Sequence, residues 1–298
     1  MQILDTIIHQ TVWGGSKLAK YCGSSTGNIG HLYSCIDTVN MNSPIIWGSY
    51  KDRTIHEWFI NNRQRYGLEK FKRLPVLMAL VDASESLSIQ VHPDDLVAAE
   101  LEKLPFGKNE SFYIMQAPSC GYMYNGCVAK TKESFLQKIN QGACLEMVDT
   151  VEVKVGDYVY VEGGTLHAAT KGSLCFEIEE NCDATYRFYD YGRLDCSGQL
   201  RQLQVNEALR SLDLTKKSVV KQYKPGEPIV ERMYSTQLFA NGGVYSNTVG
   251  EFSILVILSG ELIIENMALQ PGTAILLEDS DILDMGNAVC MLVKVLAH

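Results

Sequence analysis

The stretch that most constrains how this chain can fold spans residues 87–95 and reads LSIQVHPDD. Apolar and polar side chains alternate along it, which is the period of a half-buried β-strand. One face therefore carries Ser88, Gln90 and His92, spaced about 6.6 Å apart. Buried polar groups destabilise a protein unless they find partners. This face either lines a site or belongs to an exposed antiparallel strand that carries a histidine by chance.

Composition and charge narrow the class of protein. The 298 residues suffice for one large or two ordinary domains. A net charge of -9 argues against nucleic acid and anionic membranes as partners, although a local Lys and Arg cluster could still bind a small anion. Nine scattered cysteines without a C-x-x-C pair fit reduced thiols. Since there is neither a signal-peptide pattern nor an apolar run of spanning length, we expect a cytoplasmic protein.

Two further segments carry polar residues in strand-like patterns. Residues 106–115 read as a strand that places Lys108 and Glu110 on one face, as a salt bridge at a sheet margin or as part of a polar site. Residues 165–179 read as two strands around a Lys-Gly-Ser turn. If that turn closes a hairpin, His167 lies opposite Glu177 with Cβ atoms about 4.5–5.5 Å apart.

Taken together, these residues predict a metal site. His92 and His167 are two of only six histidines, and both fall in strands beside Gln90 and glutamates. Two imidazoles, one carboxylate and one amide oxygen suit a divalent metal, with zinc as the first candidate. A purely structural zinc site would favour thiolates, and none has suitable spacing. A mixed nitrogen and oxygen ligand set with room for substrate indicates Lewis-acid chemistry.

Several motifs in order along residues 10–193 resemble type I mannose-6-phosphate isomerases of the cupin superfamily, in their short bacterial form. The motifs are WGG at 13–15, LSIQVHPDD at 87–95, GKNE at 107–110, GGTLH at 163–167 and EIEENCDATYRFYDYGR at 177–193. The pattern G-x5-E-x-G-x2-H at 156–167 also resembles the second cupin motif, with Glu162 where proline is usual. One segment departs from the family: residues 28–34, NIGHLYS, replace a Glu-x-Trp-Glu-like segment. His31 is therefore either a pocket residue or an ordinary loop histidine.

By position, the resemblance implies a set of site residues. It implies one zinc ion per chain, held by Gln90, His92, Glu110 and His167. It implies that the catalytic residues are Arg187, Glu177 and Lys108. The residues expected to bind the sugar phosphate are Ser88 and Arg193.

The function implied is a zinc-dependent aldose–ketose isomerase that interconverts mannose 6-phosphate and fructose 6-phosphate through a cis-enediol. Glu177 is our candidate for the base, because a carboxylate near a metal can take and return a proton. The expected partner is a small sugar phosphate, and the expected state is a monomer or homodimer. The alternatives are a non-enzymatic, metal-containing sugar-phosphate sensor, which the altered segment at residues 28–34 favours, and a cupin enzyme acting on another phosphosugar.

The expected fold is mostly β with a few helices, arranged as two cupin (jelly-roll-like) barrels. Residues 1–215 would form the catalytic barrel and residues 216–298 a degenerate second barrel. Strand patterns at 252–265 and 269–277 support the second barrel. Its only histidine is His298, so it is expected to lack metal ligands. A capping box at Thr54 and Glu57 predicts a helix that ends by Gly67.

Overall fold

The structure is a computed structural model that describes residues 1–25, 27–195 and 197–296. His298 lies outside the described residues. The chain is mostly β with a few short helices, as the sequence predicted. The strands of the described residues form three large antiparallel sheets and two small two-stranded ones.

The first sheet lies in the middle of the molecule, and each of its two faces packs against another sheet. Its strand Val76–Asp82 is buried throughout, which matches its continuous apolar sequence. In spatial order, its strands are Val219–Gln222, Asp157–Val161, Glu110–Gln116, Leu174–Glu180, Val76–Asp82, Ile29–Cys35 and Ile7–Gly15.

The second sheet covers one face of the first. Ile89 and Val91 from the second sheet pack in one apolar cluster with Phe112 and Ile114 from the first. Polar side chains of the two sheets also meet between them, since Ser88 and Gln90 line one cavity with Glu110 and Glu177. In spatial order, the strands of the second sheet are Tyr186–Tyr189, Ile89–Val91, His167–Ala168, Tyr122–Cys127 and Val148–Glu152.

The third sheet covers the opposite face of the first. Ile254 and Val256 of the third sheet share an apolar cluster with Leu80 and Phe176 of the first. Its strands, in spatial order, are Pro228–Val230, Tyr234–Phe239, Val289–Val295, Ser253–Ser259, Ala274–Leu277, Gln2–Leu4 and Ile45–Trp47. The two small sheets pair Val244–Ser246 with Ile282–Asp284 and Leu262–Ile264 with Met267–Leu269.

The helices are short and lie outside the sheets. Thr54 accepts a hydrogen bond from the Glu57 N–H and Glu57 caps the Thr54 N–H in return, so the predicted capping box is confirmed, although the helix ends at Asn62. The α-helices are Ala19–Cys22, Ile55–Asn62, Asp95–Val97, Lys132–Asn140 and Val205–Ser211. A short π-helix spans Ala98–Glu102, and a 3-10 helix spans Cys144–Met147. None of the described helices is long and apolar enough to cross a membrane.

Strands from both sides of residue 215 pair within the same sheets. Gln2–Leu4 and Ile45–Trp47 pair within the third sheet, although most of that sheet comes from the C-terminal third of the chain. Val219–Gln222 pairs with Asp157–Val161 in the first sheet. The division into a catalytic barrel at 1–215 and a second barrel at 216–298 stays a prediction.

The predicted hairpin between His167 and Glu177 is wrong. His167 pairs with Gln90 and Asn125 in the second sheet. Glu177 pairs with Ala79 and Phe112 in the first sheet. The physical reason lies at the turn, where backbone hydrogen bonds join residues 172 and 173 to residue 83 of the first sheet. The segment between His167 and Glu177 therefore crosses from the second sheet to the first and does not close a hairpin.

One buried hydrogen bond joins the third sheet to the strand that enters the sandwich. The hydroxyls of Tyr234 and Ser111 lie 2.7 Å apart, and both residues are buried. We expect Tyr234→Phe to lower the free energy of unfolding by about 1–2 kcal/mol, because the Ser111 hydroxyl loses its partner. Denaturant unfolding of both proteins measures this. An unchanged free energy of unfolding would show that the hydroxyl pair does not stabilise the sheet packing.

Candidate metal centre and surrounding cavity

Three buried side chains converge between the first and second sheets. The His92 Nε2 and His167 Nε2 atoms lie 3.0 Å and 2.9 Å from the two carboxylate oxygens of Glu110. The ligand atoms of the three residues all lie within 4.8 Å of one another. The three predicted ligands, which are far apart in sequence, therefore meet at one point, here called the His–Glu cluster.

Glycines allow the motifs to approach closely enough to build this cluster. A Cβ on Gly107 would lie 2.3 Å from the Pro93 carbonyl oxygen, and a Cβ on Gly163 would lie 2.6 Å from the same atom. Real Cβ atoms do not approach so closely, so both positions need glycine. The segment after His92 is thereby held between the segments that lead to Glu110 and His167.

Hydrogen bonds orient both imidazoles. His92 Nδ1 lies 2.9 Å from the Ala184 carbonyl oxygen, and His167 Nδ1 lies 2.9 Å from the Thr165 carbonyl oxygen. A carbonyl oxygen only accepts, so each ring carries its proton on Nδ1. Each Nε2 lone pair is then left free and directed at the cluster. This is the arrangement by which proteins fix histidines as metal ligands.

Gln90 lies at the edge of the cluster, as its pairing with His167 requires. Its Nε2 atom is 3.4 Å from His167 Nε2, and its Oε1 atom accepts a 3.0 Å hydrogen bond from the Ser88 hydroxyl. A half-turn of the amide exchanges the two atoms. The oxygen then faces the cluster, while the amide NH2 donates to Ser88. Gln90 can therefore supply a fourth ligand oxygen.

The donor set fits a divalent cation. Among the described residues, His92 Nε2 and Glu110 Oε1 are buried polar atoms without a hydrogen-bond partner. Although burial opposes it, the two imidazoles hold the pKa of Glu110 well below its usual range. Burial and Lys108 lower the pKa of His92. An ionised carboxylate and a neutral imidazole are the forms in which these groups bind a metal.

A cavity opens beside the His–Glu cluster and contains a second set of charges. The Lys108 ammonium bonds the Glu179 carboxylate and lies 3.7 Å from Glu110 Oε2. Although burial opposes it, these carboxylates and Glu177 raise the pKa of Lys108, so it stays charged. Six of the residues that line this cavity are Trp13, His31, Gln90, Lys108, Glu177 and Arg187.

Glu177 and Glu179 share one face of their strand and interact directly. Burial and the neighbouring charge of Glu179 raise the pKa of Glu177 well above its usual range. Lys108 lowers the pKa of Glu179 against the effect of burial. Sequence reasoning chose Glu177 and missed Glu179. The signal was present, since residues two apart in a strand point the same way.

Arg187 presents its side chain to the cavity from the strand Tyr186–Tyr189, next to Gln90. Its Nε atom is buried and has no hydrogen-bond partner among the described residues. Burial and Arg201 lower the pKa of this guanidinium. A guanidinium with an unused donor at a cavity wall suits an anion.

Of the two residues expected to bind substrate, Ser88 lines the cavity and Arg193 does not. Arg193 donates a 3.0 Å bond to Asp190 and a second hydrogen bond to the Ser86 carbonyl, and it lies over the Tyr191 ring. The structure therefore leaves Arg193 outside the group that surrounds the cluster. The substrate-binding roles of both residues stay predictions.

The altered segment at residues 28–34 contributes a wall of aromatic rings. His31 lines the cavity, as one of its two interpretations required, and its ring stacks on Tyr33 and on His9. Trp13 meets the same ring edge-on. Sequence reasoning gave His9 and Tyr33 no role, because neither belongs to a motif that predicts metal or phosphate binding.

Comparisons with known proteins agree on one family. The family model of the phosphomannose isomerase type I catalytic domain matches residues 1–114. The putative mannose-6-phosphate isomerase YvyI of Bacillus subtilis is 35% identical over 210 residues, which cover 70% of this chain and 66% of that protein. The mannose-6-phosphate isomerase of Streptococcus mutans is 33% identical over 215 residues, covering 72% and 68%. The chain thus spans about two thirds of the length of these relatives. A crystal structure of the mannose 6-phosphate isomerase from Bacillus subtilis matches with a TM-score of 0.81 and 28% identity over 98% of both chains.

We expect His167→Ala to weaken divalent metal binding by more than about 100-fold, because losing an orienting partner of a ligand already costs 10- to 100-fold. Equilibrium dialysis against zinc, with metal analysis of the protein, measures this. His56→Ala is the matched control, since the His56 imidazole pairs with Asp37 away from the cluster. Equal zinc affinity in both variants would contradict the assignment.

Proposed function

The chain belongs to the type I phosphomannose isomerases, and on that premise we propose that it interconverts mannose 6-phosphate and fructose 6-phosphate. One observation carries the proposal: two Nε2 lone pairs and the Glu110 carboxylate converge beside a cavity that also contains Glu177 and Lys108. Metal ligands, a candidate base and a cation are what an aldose–ketose isomerisation needs within reach of one sugar carbonyl.

We propose that the cofactor is zinc, one ion per chain, held by Gln90, His92, Glu110 and His167. A nitrogen and oxygen ligand set that leaves space toward a cavity supports this choice. When bound, zinc would supply Lewis-acid polarisation of the sugar's oxygens. The fixed Nδ1–H tautomers of the two histidines support the assignment independently of the family.

Glu177 is the proposed base for the proton transfer between C1 and C2. In the aldose-to-ketose direction its carboxylate takes the proton from C2, the electrons of that C–H bond form the C1=C2 bond, and the C1=O π electrons move to O1, which takes a proton to complete the cis-enediol. The same carboxyl then returns the proton to C1, while the C2 hydroxyl gives up its proton and becomes the ketone carbonyl. Burial and Glu179 raise the pKa of Glu177 above the usual range of a carboxyl, so it holds a proton more tightly than a free carboxyl does.

The cationic residues are proposed to bind the negative charges of the substrate. Arg187, with its unpaired Nε donor, would stabilise the enediolate, and Lys108 could serve the enediolate or the phosphate. Arg193 and Ser88 are proposed to hold the phosphate. Asp190 would fix the Arg193 guanidinium in place for this task.

The alternative functions have less support. A sensor would not need a base, yet Glu177 lies next to the His–Glu cluster together with Lys108 and Arg187.

We also propose a cytoplasmic location, which is supported by the free thiols of all eight described cysteines.

The first test is a coupled assay that detects fructose 6-phosphate formed from mannose 6-phosphate. We expect activity that a chelator removes and that zinc restores, because the metal ligands are neutral imidazoles and carboxylates that release the ion reversibly. Activity that survives full chelation would contradict the metal requirement. No activity in a folded, zinc-loaded protein would favour the sensor or another phosphosugar.

The second test is Glu177→Gln. We expect kcat to fall by about 10²–10⁴-fold, because general-base catalysis contributes a factor of this size. Bound zinc, measured by metal analysis, should stay at the wild-type level, since Glu177 is not among the proposed ligands. Retained turnover would remove Glu177 from the role of base.

A further inference from the structure

Two polar atoms face each other at the cavity wall, a ring nitrogen of His31 and a carboxylate oxygen of Glu177. His31 Nε2 lies 3.6 Å from Glu177 Oε2, and the side chains are only 14% and 5% exposed. Glu177 Oε2 has no hydrogen bond among the described residues. A shift of a few tenths of an ångström would join the two atoms, and catalytic hydrogen bonds are often long before substrate binds.

The His31 ring is held in this orientation by its neighbours. It stacks on Tyr33 at 5.2 Å and 7°, and on His9 at 5.6 Å and 14°. Trp13 meets it edge-on at 5.1 Å. On the strand that lies between them, Glu177 pairs with Ala79 and His31 pairs with Val81. The two side chains are therefore diagonal neighbours on one face of the first sheet.

The proton on His31 is best placed on Nε2. Burial lowers the pKa of His31 to about 4, so the ring is neutral and carries one N–H. Its Nδ1 is buried without a partner in the described residues. A buried N–H without an acceptor is rarer than a buried lone pair without a donor. The tautomer with the proton on Nε2 leaves only a lone pair unsatisfied and directs the N–H at Glu177.

We propose that His31 is a positioning residue for Glu177: its Nε2–H donates a hydrogen bond to the carboxylate, aims one oxygen into the cavity and stabilises the ionised form. This inference rests on the proposed role of Glu177 as base. It gives the altered segment at residues 28–34 a role in the reaction. From the sequence alone, His31 was either a pocket residue or an ordinary loop histidine.

A competing use of the same residues is a second metal site. His31, Glu177 and Glu179 also offer ligand atoms within 4.8 Å of one another. Lys108 already bonds the Glu179 carboxylate, so a cation is present there. One Lys108 and one divalent ion at the His–Glu cluster together balance the three carboxylates of Glu110, Glu177 and Glu179. A second divalent ion would leave an excess of positive charge in the interior.

The kinetic test compares three variants of the zinc-loaded protein. His31→Phe keeps a stacking ring but removes the hydrogen-bond donor. We expect kcat to fall about 10- to 100-fold with KM nearly unchanged, because a hydrogen bond to a charged group contributes a free energy of this size. His31→Gln places an amide N–H near the Nε2 position and should recover most of the lost kcat. His9→Phe makes the same ring exchange in the same stack and should cost at least about tenfold less in kcat than His31→Phe.

A second measurement does not depend on activity. Two-bond ¹H–¹⁵N spectra of the histidine rings, with His31 assigned by its absence from His31→Phe, should show the proton on Nε2. Glu177→Gln should shift that Nε2 signal. These spectra test the hydrogen bond even if the wild type does not turn over mannose 6-phosphate, whereas the wild-type assay tests the proposed function.

Three results would overturn the inference. Wild-type kcat in His31→Phe, or equal losses in His31→Phe and His9→Phe, would reduce His31 to a packing residue. A proton on Nδ1 in the spectra would remove the hydrogen bond. Two zinc ions per chain, one of them lost in His31→Phe, would assign the residue to a metal site instead.

Discussion

The arrangement of this protein depends on how three carboxylates are kept in its interior. Glu110, Glu177 and Glu179 lie between two sheets, where an unpaired charge costs several kcal/mol. Lys108 balances one of them. Glu110 lies against the Nε2 atoms of two imidazoles, while burial and Glu179 raise the pKa of Glu177. Cation binding at the cluster and the ionisation of Glu177 are therefore linked, since each positive charge added nearby favours the carboxylate.

The strand face that carries two of the proposed metal ligands could be predicted from the sequence, because alternation along one strand is a local pattern. Alternation placed Ser88, Gln90 and His92 on one face, and the structure keeps that face inside the sandwich. The convergence of His92 with Glu110 and His167 needed the family resemblance as well. Spacing along one strand says nothing about which strand lies opposite.

The failed predictions are failures of strand pairing. A three-residue turn suggested that His167 and Glu177 were cross-strand neighbours, but the turn pairs with residue 83 and the chain changes sheets. Glu179 was missed although the two-residue period of its strand already placed it on the same face as Glu177. The importance of His31 depends on Glu177, which lies 146 positions further along the chain and meets it only after three strands have paired. Such long-range pairings are set by the whole fold.

The third sheet has a consequence for how the chain can fold during synthesis. Its strand Gln2–Leu4 pairs with Ala274–Leu277, and another interior strand, Val289–Val295, is made later still. A ribosome releases the first segment long before its partner exists. The two sheets that enclose the cluster can associate earlier, but the apolar outer face of the first sheet then waits uncovered. The nascent chain therefore exposes an apolar surface from the time the first sheet forms until the strands of the third sheet have been made, which favours chaperone engagement.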